Sequence, residues 1–378
     1  MESLRAHLTR LVTSTMTSPR TRALKRFWHG LGRTFGGSAK VHYFHEATDP
    51  YSQLAAQLLE PLQETYRVEV KTYLVSPPSP AAAPELKKLQ ALARTDAAIL
   101  AAAHGLKCPA PGDTPGNAIQ GDEAREKLGH YLSGMFYFEG EWYWGVDRFH
   151  FLEGRLHKAG LARTKGPMKS IAPAKEVTFG GKPGSARGAT LDYFLSFRSP
   201  YTYLAVKRVQ KLAEYYGATL RLRFVLPMVM RGLPVPPSKR FYIVLDSKRE
   251  AERLGIPFGT IIDPVGKPTE RGLAVLHRAI ALDRGPKFAE SFLSGAFAEG
   301  VDTGTDEGLQ FLATRAGLTT EDVSAALRDE TWREVAEANR QELFALGHWG
   351  VPTFRVNGNS PHWGQDRLWV IEQELQRV

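Results

Sequence analysis

The sequence predicts a mixed α/β protein made of two tandem copies of one domain. Three pairs of similar segments, found in the same order in each half of the 378 residues, carry this prediction. In the first pair, residues 41–55 align with 191–205, and Tyr, Phe, Pro, Tyr, Leu and Ala are identical in both. Because three ordered matches do not arise easily by chance, we expect an internal duplication.

The second pair of segments has the pattern of a half-buried strand in each half. Residues 67–75 and 219–227 both alternate apolar and polar side chains in their first positions. The third pair joins residues 129–140 to 347–358, and a Trp-Gly-x-Asp-Arg motif follows in both halves. The two halves are therefore expected to end in the same local structure.

The spacing of these segments divides the chain into four parts. The stretch after residue 157 is rich in Gly, Lys, Ala and Pro without apolar periodicity, which is typical of a linker. The first copy is shorter between its second and third segments, where Pro/Gly-rich residues 76–80 and 108–116 predict loops. The expected parts are a basic tail at 1–39, a degenerate domain at 40–157, a linker at 158–189 and a complete domain at 190–378.

The second copy starts with a β-α-β pattern. A strand is expected near 190–197, a helix from Pro200 to about 216 and a strand at 219–226. Proline suits the first turn of a helix and Gly217 suits its end. A helical insertion, a hairpin at 353–363 and a last helix at 365–377 follow. The insertion is expected to contain helices at 238–254, 270–283, 286–298, 305–316, 320–328 and 331–346.

Charge and cysteine content exclude several functions. The net charge is +9, and the first 40 residues hold eight Lys or Arg against one acid, which gives 8 − 1 = +7. Only 9 − 7 = +2 remains for the other residues, so we expect no nucleic-acid partner for the folded body. The single Cys108 permits no internal disulfide, no CxxC pair and no Cys-rich metal site, and we expect no metal. Dithiol oxidoreductase chemistry is therefore excluded.

The basic tail has an amphipathic pattern. Leu4, Leu8, Leu11 and Val12 stand at helical spacing, and Arg10 interrupts what would be a signal-peptide core. An Arg-rich start poor in acids is also typical of organellar presequences. We expect a solvated or surface-docking arm, with docking on an anionic membrane or nucleic acid as a weaker alternative. No apolar run approaches the roughly 20 residues of a membrane span, and we expect a cytoplasmic protein without a transmembrane segment.

Two positions favour binding of a thiol or a peptide. Ser199 stands where a strand gives way to a helix, and free N–H groups there stabilise an anion such as a thiolate. Alternatively, Ser199 only caps the helix. A cis bond at Val351-Pro352 would leave the preceding backbone groups free for an extended ligand. The alternative is an ordinary proline at a strand start.

Two further groups could bind the polar ends of a ligand. Gln365 and Asp366, at the start of the last helix, could hold an amino-acid-like head group, or Asp366 could simply cap the helix. The cations Arg231, Lys239 and Arg240 could receive a substrate carboxylate, or could be a solvated helix start.

Together these motifs resemble those of 2-hydroxychromene-2-carboxylate isomerases. The segments that carry the resemblance are residues 192–205, 237–242, 350–358 and 363–368. This family is similar to kappa-class glutathione transferases and to DsbA-like proteins, so the resemblance implies a thioredoxin-like fold for each half, with a helical insertion. It covers the second half well and the first half weakly.

The resemblance implies a glutathione-dependent isomerase or transferase whose substrate is a small aromatic carboxylate. Ser199 would contact the glutathione sulfur, Val351 before Pro352 would pair with the peptide, and Gln365 and Asp366 would hold the γ-glutamyl end. The weaker candidates Arg231, Lys239 and Arg240 would bind the substrate. The alternative function is a non-catalytic DsbA-like binding module.

The first half departs from the family pattern at two positions. Asp49 stands where the second half has Ser199, and Gly134 stands where it has Pro352. A carboxylate would repel a thiolate, so we expect no glutathione activation there. The first copy would then serve as a pseudo-subunit in an intramolecular pseudo-dimer, and a homodimer is also compatible with the family.

Overall fold

The structure, a computed structural model, describes residues 4–34, 37–110 and 117–378. The Pro/Gly-rich loop expected at 108–116 therefore lies outside the described residues from 111 onward. None of the helices in the described ranges has the length and apolar character needed to cross a lipid bilayer.

The chain divides into two units, each with its own sheet. The first unit comprises residues 19–175 and 234–242. The second comprises the residues up to 18, 176–233 and 243–378.

Strands and helices are numbered in chain order. Helix α1 is Leu4–Thr17, in the second unit. The first unit then contains α2 (Pro19–Thr34), β1 (Lys40–His45), α3 (Pro50–Ala56), α4 (Leu59–Thr65), β2 (Glu69–Leu74), α5 (Leu86–His104), α6 (Ile119–Lys127), β3 (Met135–Phe138), β4 (Glu141–Trp144) and α7 (Phe149–Lys158). The rest of the chain forms β5 (Thr190–Leu195), α8 (Pro200–Tyr216), β6 (Thr219–Phe224), α9 (Pro237–Leu254), α10 (Lys267–Ala281), α11 (Gly285–Ser294), α12 (Asp306–Arg315), α13 (Thr320–Ala326), α14 (Trp332–Ala345), β7 (Thr353–Val356), β8 (His362–Trp363) and α15 (Leu368–Gln376).

The two sheets have the same strand order and the same strand directions. The orders are β2-β1-β3-β4 and β6-β5-β7-β8. In each, the first strand in the chain is parallel to the second and antiparallel to the third, which forms an antiparallel hairpin with the fourth. The α/β class and the thioredoxin-like layer expected for the second half are confirmed.

The alignment predicted for the second pair of segments is wrong by two residues. Lys40 lies opposite Glu69 and Thr190 lies opposite Thr219, so residue 219 corresponds to 69 and not to 67. Side chains alternate with a period of two along a strand, and a shift of two residues keeps every side chain on its face. The apolar pattern alone therefore cannot distinguish the two alignments.

Local signals define helix α8, as the sequence predicts. The Ser199 side chain accepts a hydrogen bond from the N–H of Thr202, and Pro200 occupies the first turn. Gly217 ends the helix with φ +75°, a conformation that costs glycine little. The buried face of α8 packs with β5 through residues including Leu204, Val209 and Leu212.

Helix α1 packs on the second unit through its hydroxyls. Thr13 and Thr17 are buried, and the Thr13 Oγ1 accepts a hydrogen bond of 3.3 Å from the N–H of Ile261. The Thr17 Oγ1 donates to the carbonyl oxygen of Gly259 at 3.4 Å. The apolar residues that stand at helical spacing in the sequence are on the other side. The described members of this set, Leu8, Leu11 and Val12, are exposed.

This packing predicts coupling between Thr17 and Gly259. A Cβ added at Gly259 would lie 2.6 Å from the Thr17 Oγ1, closer than any van der Waals contact allows. Gly259→Ala should therefore destabilise the wild type more than it destabilises a Thr17→Ala variant, by about 0.5 kcal/mol or more. Urea unfolding of the four proteins of this cycle measures the difference. Equal costs in the two backgrounds would contradict the packing of α1 at this point.

Candidate functional site

Ser199 lies between the start of α8 and the loop before β7. Its Oγ accepts the Thr202 N–H at 3.2 Å and donates to the carbonyl oxygen of Val351 at 3.3 Å. The side chain is only partly buried. The hydroxyl therefore caps the helix, and a ligand at this surface could replace the Val351 carbonyl as the acceptor of its proton.

The Val351–Pro352 segment is fixed by main-chain contacts. The peptide bond between the two residues is cis, and Pro352 is buried while Val351 is partly exposed. The carbonyl of Pro352 accepts the N–H of Gly364 at 2.9 Å, and the Thr353 hydroxyl donates to Gly350 at 2.8 Å. The Val351 main chain is thus held beside Ser199.

Gln365 belongs to a buried polar network. Its side chain is almost fully enclosed, and its Oε1 accepts from the Arg208 Nη1 at 2.5 Å. Its amide nitrogen donates to Glu250 at 3.2 Å and to Asp366. Burial lowers the pKa of the Arg208 guanidinium, and the carboxylates of Asp366 and Glu250 oppose that effect. Gln365 thus positions charged neighbours, and Asp366 is the more accessible of the pair.

The three candidate substrate cations do not form one group within either unit. The Arg231 Nη2 donates to the carbonyl of Trp349 at 3.4 Å, on the segment that leads to Val351. Lys239 and Arg240 belong to the first unit. The Lys239 amine donates to the carbonyl of Ala82 at 2.8 Å, and burial lowers its pKa, while Arg240 is exposed.

A buried ion pair that contacts α8 through Tyr201 was not predicted from the sequence. The Tyr201 hydroxyl donates to the Asp246 Oδ2 at 2.8 Å, and Asp246 pairs with Arg249 at 3.0 Å. The first unit contains the same contact, in which Tyr51 donates to Asp96 at 2.8 Å. The tyrosine and aspartate are 45 residues apart in both units. An alignment of the halves that places β1 on β5 also places Asp96 on Asp246, and it would have revealed this shared aspartate.

The first unit has a closed polar cluster at the position of Ser199. The Asp49 carboxylate accepts from the N–H groups of Tyr51 and Ser52 at 3.1 Å and from the hydroxyls of Ser52 and Ser133 at 3.0 Å. Burial raises the pKa of Asp49, and these hydrogen bonds oppose that effect. The N–H groups and hydroxyls that a ligand at this helix start would use are thus already bound to the Asp49 carboxylate.

In the second unit, Ser199 at the start of α8 lies beside the Val351–Pro352 segment that leads into β7. Residues 190–376 match the DSBA-like thioredoxin domain. This DSBA-like domain is also similar to curated 2-hydroxychromene-2-carboxylate isomerases. The enzyme from Pseudomonas putida is 24% identical over 196 residues, 50% of this chain and 95% of the relative. The enzyme from Sphingobium xenophagum is 23% identical over 198 residues, 49% of this chain and 97% of the relative.

Two solved structures are also similar to the DSBA-like domain. A selenomethionine 2-hydroxychromene-2-carboxylate isomerase has a TM-score of 0.43 at 23% identity, covering 50% of this chain and 95% of that chain. The cytosolic disulfide reductase DsbM from Pseudomonas aeruginosa, solved with GSH, has a TM-score of 0.37 at 20% identity, covering 50% and 100%.

The buried network of Gln365 predicts a structural cost for its loss. Gln365→Leu removes one hydrogen-bond partner from the Arg208 guanidinium and one from the buried Glu250 carboxylate, so the free energy of unfolding should fall by about 1–3 kcal/mol. Asp366→Asn is the matched control, because its amide oxygen can still accept from Gln365. Its free energy of unfolding should fall by less. Urea unfolding of both variants tests this. Equal losses would show that the Gln365 amide is not what satisfies the network.

Proposed function

We propose that the DSBA-like domain is a glutathione-dependent isomerase or transferase that resembles the 2-hydroxychromene-2-carboxylate isomerases. One observation carries the proposal: the Ser199 hydroxyl, at the start of α8 and partly exposed, donates a hydrogen bond of 3.3 Å to the carbonyl of Val351, a partner that a ligand could replace. The curated relatives named as isomerases support the reaction class.

Ser199 is the proposed catalytic residue because its hydroxyl can turn from the Val351 carbonyl to a sulfur atom. The N-terminus of α8 adds the positive end of a helix dipole, which lowers the pKa of a thiol placed there. Glutathione, when bound, supplies a thiolate that adds to a conjugated carbonyl compound, permits bond rotation and leaves again by elimination. Position 199 is a serine and the chain has a single cysteine, so the chain lacks the pair of thiols that a dithiol cycle needs.

Other residues of the domain would orient the ligands. The main chain of Val351 before Pro352 would pair with the extended peptide. Asp366 would accept the γ-glutamyl ammonium group, and Gln365 would hold Asp366 through its amide. Arg231 is the proposed partner of the substrate carboxylate, since it already contacts the segment before Val351. Lys239 and Arg240 belong to the first unit, and the Lys239 amine donates to the carbonyl of Ala82, so their part in binding the substrate stays a prediction.

We also propose that the first unit is a second copy of the same domain that has lost thiol binding. The equal strand orders, the equal pairing of β1 with β2 and of β5 with β6, and the Tyr51–Asp96 and Tyr201–Asp246 contacts support a duplication. The Asp49 carboxylate takes the place that a thiolate would need, and its donors are already engaged.

Binding of glutathione by the full chain should therefore involve one site. Titration calorimetry is expected to give one glutathione per chain. Ser199→Ala should weaken binding about tenfold or more at a pH where the bound thiol is ionised, since one charge-assisted hydrogen bond is lost. The matched control Asp49→Ala alters the equivalent residue of the first unit and should leave binding unchanged. Two sites in the wild type, or a loss caused by Asp49→Ala, would contradict the assignment.

The thiol pKa of bound glutathione gives a sharper test. Without the Ser199 hydroxyl, this pKa should rise by about 1–2 units, because the hydrogen bond is worth roughly 1.5–3 kcal/mol. Ultraviolet absorbance of the thiolate, titrated against pH with saturated protein, measures it. A Cys108→Ser background removes the protein's own thiol. An unchanged pKa would mean that Ser199 only caps α8.

Turnover separates the enzyme from a binding module. With glutathione present, the wild type should isomerise 2-hydroxychromene-2-carboxylate or a related conjugated aromatic carboxylate, and Ser199→Ala should be slower. Tight glutathione binding without turnover of any such compound would favour the non-catalytic module.

A further inference from the structure

Helix α2 is attached to the first unit by its polar face. The Arg26 guanidinium forms two hydrogen bonds with the Glu141 carboxylate, at 3.1 and 2.8 Å. His29, one turn away, lies against the turn between β3 and β4, where a Cβ at Gly140 would be 2.6 Å from its Nε2. The side of α2 that contacts protein is therefore the charged side.

The opposite face of α2 is apolar and exposed. Leu24, Phe27 and Trp28 are 57%, 60% and 63% exposed, and the two aromatic rings contact each other edge to face at 5.9 Å. These positions, spaced i, i+3 and i+4, form one stripe about 180° from Arg26 and His29. A surface helix of a globular protein normally turns its apolar side to the core and its polar side to water. An exposed apolar stripe of this kind marks an interaction site.

The charge of the helix indicates what covers this stripe. Pro19–Thr34 contains five Lys or Arg residues and no acid, and Arg20 and Lys25 are exposed beside the stripe. A second copy of the chain would bring a further net charge of +9 to the same place. An anionic lipid surface instead accepts both features, because apolar side chains enter the acyl boundary while cations meet the headgroups.

We propose that α2 is an interfacial helix that binds the first unit to the surface of an anionic membrane. Leu24, Phe27 and Trp28 enter the boundary between headgroups and acyl chains. Arg20 and Lys25 remain at the level of the phosphates, where each cation strengthens binding about fivefold. Arg26 and His29 keep the helix on the protein. This proposal is independent of the function of the DSBA-like domain.

Vesicle co-sedimentation of the full chain tests the proposal. The wild type should bind vesicles of phosphatidylcholine with phosphatidylserine, and bind pure phosphatidylcholine much more weakly. The double substitution Phe27→Ser and Trp28→Ser should reduce binding at least tenfold, and Lys25→Glu should reduce it about tenfold or more, only on the anionic vesicles. Phe311→Ser, which removes an aromatic side chain of α12 that is 54% exposed, is the matched control and should have no effect.

The depth of Trp28 provides a second measurement. Lipids brominated on their acyl chains should quench part of the tryptophan fluorescence of the wild type, and Trp28→Phe should abolish that quenching while vesicle binding persists. Equal vesicle binding by the wild type and the Phe27/Trp28 double variant would overturn the proposal. It would also be overturned if the double variant lost affinity for a single-stranded RNA oligonucleotide while the wild type ignored both kinds of vesicle.

Discussion

The second sheet is organised around one buried carboxylate. Asp192, on the central strand β5, is inaccessible to solvent and receives Arg221 from β6 and Arg355 from β7, each through two hydrogen bonds. A buried carboxylate without such partners would cost several kcal/mol. Because both arginines are its cross-strand neighbours, the pair fixes β5 between β6 and β7. The end of β5 and the start of β7 then lie side by side, which brings Ser199 to Val351.

The two halves differ chemically at the position that this arrangement creates. In the second unit a neutral hydroxyl accepts one main-chain N–H and donates one proton, so it can exchange one partner for another. In the first unit a carboxylate accepts from main-chain and hydroxyl donors together, and Ser133 closes the cluster from the side of β3. A single residue type thus decides whether the helix start is open to a ligand or is satisfied within the protein.

The sequence predicted those features that depend on local signals. The start and end of α8 followed from Ser199, Pro200 and Gly217, since caps are determined by the residues themselves. Features that depend on tertiary partners were not predictable in the same way. Nothing in the neighbourhood of Gln365 indicates that Arg208 and Glu250 will use its amide, and nothing near Lys239 indicates a bond to Ala82. The offset of two residues between the matched strands arose from the period of the strand pattern.

The helical spacing of the apolar residues in the N-terminal tail did not indicate which face would meet the protein. In α1 the contact is made by Thr13 and Thr17, whose hydroxyls bond to main-chain groups near residue 260, and in α2 it is made by Arg26 and His29. Hydroxyl and guanidinium groups can hold a helix on the protein by hydrogen bonds. The apolar stripe of that helix then does not need to pack in the core. Exposure of each stripe to water then costs free energy in proportion to its apolar area, about 25 cal/mol per Å². An arrangement with this cost in water becomes favourable where the surroundings of the stripe are themselves apolar.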